Sequence, residues 1–413
     1  MATACCGSGP CDGRGALAAV PHLGAVTVSV LDGVAIVGVA ETAIGKLPGR
    51  SAISLQAEAG VAAVAAAGLD KADIDGVFSF SGYSQAMMLH AARVVEHLGL
   101  RPELAVVTDV GGPGTHHTAL LNVAAAIDAG MCTAALCTYG ENGISIRRSG
   151  RGRAPGTLTG GEDFEAPYGQ IAMISGYALF AQRHMHLYGT TSEQLGAVAV
   201  TSRRHASLND NAHKREPITL ADHQASPMIS SPLRRLDCSL ISDAGGAFVV
   251  TSIDRARSLG VRYARVLGFG SAATHHIGSQ APDLHELGGP VAAARAFQRA
   301  GLTAADADAA YIHDACTFSV VAGVEALGLC GEGEGGPYAE SGALALGSDC
   351  PVNLHGGMLS HGHAGGVFHL LDAVRQIQGS AGRRQVDGAE VVVAHGNGGV
   401  FSTFSTMVLG RGP

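Results

Sequence analysis

The sequence predicts an α/β fold built from two related halves, and three observations carry that expectation. Short apolar runs of strand length alternate with Ala-rich stretches of helical spacing. One twelve-residue segment recurs later in the chain with six identical positions. Glycine supplies 59 of the 413 residues with no collagen period, so the glycines belong to tight turns and close-packed loops.

The first run, Val34 to Val39, is continuously apolar, as a buried strand is. Similar runs are 104–107, 133–137, 247–250, 265–268, 390–394 and 406–409. Leu55, Ala59, Ala62 and Ala66 fall at helical spacing, and 86–98 also reads as helix. The repeat pairs Ala67–Phe78 with Ala300–Tyr311; each copy closes a helix and leads into a strand. A second echo pairs Tyr139-Gly-Glu-Asn-Gly143 with His395-Gly-Asn-Gly-Gly399, each after an apolar run. We therefore expect a tail over 1–31 and halves over about 32–255 and 262–413. From Arg147 to about Arg235 the pattern changes. Residues 147–161 read as loop, while 170–188 and 191–209 read as helices, the second opened by Thr190-Thr-Ser-Glu193. This stretch is expected to be an insertion covering one face of the first half.

Composition excludes several functions. The net charge is −8, and no Lys/Arg run follows a phosphate backbone, so nucleic acid is not an expected partner. Only Lys46, Lys71 and Lys214 offer amines, which leaves little room for Schiff-base chemistry. No run of 18 apolar residues suggests a membrane span. The nine cysteines lack a framework spacing, which suggests reduced thiols and a cytoplasmic home. The cluster Cys5, Cys6 and Cys11 reads as part of a loose tail rather than a metal site. No Gly-x-Gly-x-x-Gly follows the first strand, and neither a Walker motif nor an esterase elbow is present.

Four loops carry chemistry. Asp109 to His117 is a Gly-rich turn running into a helix, and it offers backbone N–H groups together with Thr115 and His116. Tyr311 to Phe318 brings His313 close to Cys316. Asn353 to Gly366 holds His355, His361 and His363 among five glycines, including Gly356 and Gly357. Zinc is the rival reading of that loop, but Cys350 alone does not complete a ligand set. The fourth, His395 to Gly399, is a glycine nest with Gly398 near its end.

Taken together, these loops resemble the thiolase superfamily, and most closely its sterol-carrier-protein-type branch. Residues 353–366 match the family's Asn-x-x-Gly-Gly-x-x-x-x-Gly-His-x-x-Gly. His313-Asp314 matches the start of the branch's His-Asp-Cys-Phe loop, and His395-Gly-Asn397 stands where the branch commonly has His-Asn. Pro167-Tyr-Gly169, His186–Thr191, Arg204-His-Ala206, Leu236-Asp-Cys238 and Ser242-Asp243 resemble the branch's insertion and its return to the sheet. The resemblance implies duplicated halves in five αβαβα layers and an acyl-CoA thioester as substrate, with no separate cofactor and no metal. It also implies a homodimer through the strand near 133–137, sometimes joined by a small OB-fold/zinc-ribbon protein, and a role in fatty acid or steroid degradation.

Two departures matter. Pro113 stands where thiolases carry the nucleophilic Cys, with Thr115 in the following Ser place. Ala315 stands where the acid–base Cys belongs, with Cys316 one place later. A proline cannot form an acyl-enzyme. The expected catalytic groups are therefore His363, His313, Cys316 and His395. The expected substrate contacts are Thr115, His116, Asn353, Gly356, Gly357 and Gly398. The resemblance then implies a lyase that breaks a C–C bond of an acyl-CoA by a retro-aldol route. The alternatives are an acyltransferase using Cys316 and a catalytically silent acyl-CoA-binding scaffold.

Overall fold

The computed structural model describes residues 30–85, 87–148, 164–170 and 172–412. The early cysteine cluster, most of the expected tail and most of the 147–161 loop lie outside the described residues. The strands are β1 (Val34–Glu41), β2 (Gly76–Ser79), β3 (Leu104–Val107), β4 (Ala134–Asn142), β5 (Met228–Ser230) and β6 (Leu233–Arg234). They continue as β7 (Asp243–Ser252), β8 (Ala264–Ala273), β9 (Ala309–Ile312), β10 (Val391–Gly398) and β11 (Thr403–Arg411). All but the short β5–β6 hairpin join one sheet, in the order β3-β2-β4-β7-β1-β8-β11-β10-β9.

That order reads the same from both ends. β2 runs parallel to β4, which pairs antiparallel with β7; β9 runs parallel to β10, which pairs antiparallel with β11. Even β3 has a counterpart, because Ala310 bridges Val352 in parallel as Val77 pairs with Ala105.

The repeat is physical as well as topological. Asp73 accepts the N–H of Asp70, and Asp306 accepts that of Thr303, each capping a one-turn helix. Asp75 then accepts the N–H groups of Thr133 and Ala134, and Asp308 those of Glu390 and Val391. The repeated aspartates thus fasten the start of β4 and of β10. The second echo is one residue out of step with the structure. Ser79 stands opposite Thr138, and its counterpart Ile312 stands opposite His395, so Thr138 rather than Tyr139 matches His395. One residue along a strand turns a side chain to the other face.

The layers follow from three apolar clusters. The helix Ala52–Ala66 covers the outer face of the first half, with Ala59 and Ala63 against Val37, Leu136 and Val249. The helices Gly114–Asp128 and Val367–Gln378 lie between the two parts of the sheet. They bury Leu120, Val123, Phe368 and Leu371 with Phe78, Phe248, Tyr311 and Met407. The helices Gly289–Ala300 and Thr317–Leu327 close the outer face of the second half. Five layers result, as expected.

Two expectations are corrected. The insertion packs on the second half, not the first: Tyr177, Phe180, Leu195, Val198 and Leu233 share a core with Phe318, Val321 and Phe401. Its helices, Met173–Tyr188 and Ser192–Ser207, are amphipathic, and no local signal says which sheet their apolar faces will meet. The second is capped by Thr191 with Gln194, one place after the Thr190/Glu193 pair suggested by sequence. The strand near 133–137 is not an edge either. β4 lies inside the sheet between β2 and β7, and the free edge of this half is β3. A fully apolar run marks a strand covered on both faces, which is an interior position.

Candidate active site

The four loops meet at the carboxyl ends of β9 and β10, where α/β proteins place their ligands. His313 follows β9 directly, and its N–H donates to the His395 carbonyl at 2.9 Å. His395 lies within β10, with Nδ1 2.8 Å from the Thr406 hydroxyl. Asn397 reaches the His313 ring, and its Oδ1 accepts from the Tyr177 hydroxyl at 2.7 Å. The Nδ1 of His313 is buried and has no hydrogen-bond partner among the described residues. Burial, together with the neighbouring His369 and His363, holds His313 well below the ordinary imidazole pKa, against the hydrogen bond from Asn397. Burial alone pulls His395 down to about 4. Both rings are therefore neutral near pH 7, able to accept a proton or present an N–H.

His363 is half-buried and stands beyond Gly362, and its backbone N–H donates to Ser242 Oγ at 3.2 Å. Ser242 also meets His213 Nδ1 at 3.3 Å, so the end of the insertion braces this loop. His116 is buried with Nε2 3.2 Å from the Gly365 carbonyl and has its pKa pulled down to about 4 by burial. Thr115 caps its own loop, its hydroxyl accepting the Val110 N–H at 3.1 Å.

Pro113 stands where these loops meet. It is buried at the start of the Gly114–Asp128 helix. Its Cβ lies 2.6 Å from where a Cβ on Gly396 would stand, and a Cβ on Gly366 would collide with its ring. The position expected to carry the nucleophile is thus filled by a ring seated between two glycines, one from the 353–366 loop and one from the 395–399 loop. No sulfur or hydroxyl faces the pocket from there.

Several expected contacts have other work. Asn353, at φ +56°, accepts the Ile312 N–H at 2.8 Å and donates to the Ile312 carbonyl at 2.7 Å. Its side chain holds the end of β9 in place. Gly356 faces Ala206, where a Cβ would come within 2.6 Å, so it serves helix packing. Gly357 makes room for Asp314, and Gly398 lies against Gly111, each too close for a side chain. Cys316 is fully buried with Sγ 3.4 Å from Ser319 Oγ, and burial pushes its thiol up to about 12. A thiol that stays protonated at neutral pH is a poor nucleophile. It is also absent from the cavity wall, which carries Ser319 instead.

Sequence reasoning passed over Asp314, His369 and Tyr177 as site residues. Asp314 accepts the N–H groups of Met358 and Leu359 at 2.8 and 3.1 Å and meets His369 Nε2 at 2.9 Å. It ties the His313 loop to the His363 loop. The His-Asp pair was the available signal for it. Tyr177 gave none, because its partner Asn397 is 220 positions away.

From His395 and Asn397 a cavity of about 650 Å³ opens toward the surface between the Thr317–Leu327 helix and the insertion. Phe318, Phe401, Phe404 and Leu284 line its body.

The buried imidazoles make acid the weak side of this protein. A histidine whose pKa is lowered by folding binds more protons when unfolded. Its stabilising effect is full above about pH 6.5 and is lost as pH falls toward the folded value. For His395, from the ordinary 6.5 down to about 4, the loss is about 3 kcal/mol. His116, also about 4, and His117, about 3, act in the same direction. We expect the melting temperature to fall steeply between pH 6.5 and 4; a flat profile across that window would contradict the neutral-histidine site.

Paired halves around two shared helices, with a glycine-packed histidine site at the strand ends, define an enzyme of the thiolase fold. The family description "Thiolase C-terminal domain-like" matches residues 270–411. A "Steroid side-chain-cleaving aldolase" of Thermomonospora curvata is 35% identical over 386 residues, covering 90% of this chain and 97% of that one. An "Acetyl-CoA acetyltransferase" of Methanothermobacter thermautotrophicus is 32% identical over 395 residues, covering 92% and 99%. The solved structure "Ltp2-ChsH2(DUF35) aldolase" superposes with TM-score 0.83 at 32% identity, covering 93% of this chain and 99% of that chain. The chain belongs to the thiolase superfamily, in its sterol-carrier-protein-type thiolase-like branch.

Proposed function

We propose that this enzyme is a retro-aldol lyase for a β-hydroxyacyl-CoA with a bulky apolar acyl group. The single observation that carries this reading is Pro113, which fills the nucleophile position and leaves neutral imidazoles around it. An imidazole, that of His313 or His363, takes the proton of the β-hydroxyl. The oxygen closes to a carbonyl as the Cα–Cβ bond breaks. The bonding electron pair moves to the α-carbon and the thioester oxygen, where N–H donors of the site hold it as an enolate. That enolate takes a proton, and the products are a ketone and a shorter acyl-CoA. The coenzyme A thioester is the substrate, and the reaction calls for no further cofactor and no metal. The relatives named for aldol cleavage support this reading, and the high thiol pKa of Cys316 weighs against acyl transfer through it.

The test is product analysis with mass measurement of the intact chain. We expect ketone and shortened acyl-CoA in equal amounts and no mass gain on the protein. A thioester on any cysteine, with turnover lost when that cysteine is replaced, would establish the acyltransferase instead.

A second copy of the chain is proposed to pair along β3. Val107 and nearby Val110 are exposed on this edge, and a bare strand edge invites pairing. Val107→Asp should convert a dimer to a monomer in sedimentation; an unmodified protein that is already monomeric at micromolar concentration would exclude the pairing. A small OB-fold/zinc-ribbon protein is a further proposed partner, and the DUF35 chain in the aldolase complex supports it. Among the described residues no helix is long and apolar enough to cross a membrane, and six cysteines are free. A cytoplasmic place is proposed on those grounds.

A further inference from the structure

The cavity that opens from His395 and Asn397 has chemistry at both ends. Two helices run along it in step. Tyr177 on the insertion helix donates to Asn397 Oδ1 at the reaction end, and seven residues later His184 meets Glu325 Oε1 at 3.2 Å. On the facing helix Phe318 packs edge-on against the His184 ring, with centroids 5.3 Å apart, and Glu325 lies two turns further on. Seven helical residues rise about 10 Å. Tyr177 and His184 therefore stand about 10 Å apart along their helix. Phe318, Ala322, Ala326 and Phe401 make its middle apolar.

The far end is rich in acceptors. Glu325, Glu286 and Glu332 lie on its wall, and among the described residues no Lys or Arg does. The polyanionic nucleotide of coenzyme A is unwelcome there, so the slot receives the opposite end of the substrate. Glu325 is held in place by the Gly335 N–H at 2.8 Å and by His184, and a carboxylate has lone pairs to spare. His184 does not offer a spare donor, because Thr190 takes its Nδ1 at 2.9 Å and Glu325 faces its Nε2. Tyr188 already donates to Glu332.

We infer that this slot selects an acyl group whose apolar body ends in a hydroxyl, bound as a donor to Glu325 at the end away from Asn397. A keto oxygen finds no donor on Glu325, and a carboxylate meets like charge. The inference rests on the lyase reading for which end of the substrate reacts.

The test uses ligands without a thioester, so its result does not depend on whether the enzyme breaks C–C bonds. A tetracyclic alcohol and the matching ketone are titrated into the full chain by calorimetry. We expect the alcohol to bind about ten-fold tighter, the scale of a hydrogen bond to a charged group. Glu325→Gln should bring the two affinities together, since an amide can both donate and accept. Ala322→Phe, which fills the middle of the slot, should abolish binding of both. Equal affinities in the unmodified protein, no saturable binding of either ligand, or unchanged binding to Ala322→Phe would each overturn the assignment. The unmodified protein alone decides the hydroxyl preference if a variant fails to fold.

Discussion

His363→Ala lowers kcat by about 10² to 10³ while the protein keeps its fold. The ring is half-buried, so its removal opens no deep cavity, and the loop stays anchored by the backbone bond to Ser242. What is lost is an imidazole beside His313, one of the groups proposed to move the proton or hold the enolate oxygen. His361→Ala gives the opposite signature. His361 is fully buried, packs on Phe368, bonds Asn209 and lies 3.6 Å from Glu41. Its loss should lower the melting temperature more than turnover per folded molecule. Measuring turnover and melting on the same preparations separates the two, and unchanged kcat in folded His363→Ala would remove that residue from the mechanism.

Asp314→Ala costs about 3 to 5 kcal/mol of stability. Its carboxylate is fully buried and accepts two backbone N–H groups from the His363 loop while facing His369. Alanine leaves all three donors without a partner in a dry interior, where an unmade hydrogen bond is expensive. Because His313 is the adjacent residue, turnover should fall as well. Gly357→Ala should resemble it, since φ is +62° and the added methyl would strike the Asp314 carboxylate. A denaturant midpoint for Asp314→Ala within about 0.5 kcal/mol of the parent would show that the clasp between the loops is not stabilising.

Much of this site is legible because its signals are local. His313, the 353–366 loop and His395 each follow an apolar run or a glycine pattern confined to a few residues. Pro113 is legible in the same way, and a proline offers no nucleophile at that position. The roles of individual residues were less legible. Asn353 reads as a ligand group, yet both ends of its amide are used by Ile312. Cys316 reads as reactive, yet burial keeps its thiol protonated.

The sequence by itself determined the α/β class, the duplication and the four loops, because strand period, helix period and the repeated capping aspartates Asp73 and Asp306 act within a dozen residues. Only the tertiary structure decided where the insertion lies, which strand is the edge, and what Pro113 and Asp314 touch. Those outcomes depend on pairings across hundreds of residues, such as Tyr177 with Asn397 and Gly366 with Pro113. An amphipathic helix says that it must bury a face, and a glycine says that something comes close. Neither names its partner, because packing is settled by the whole set of surfaces that the chain brings together.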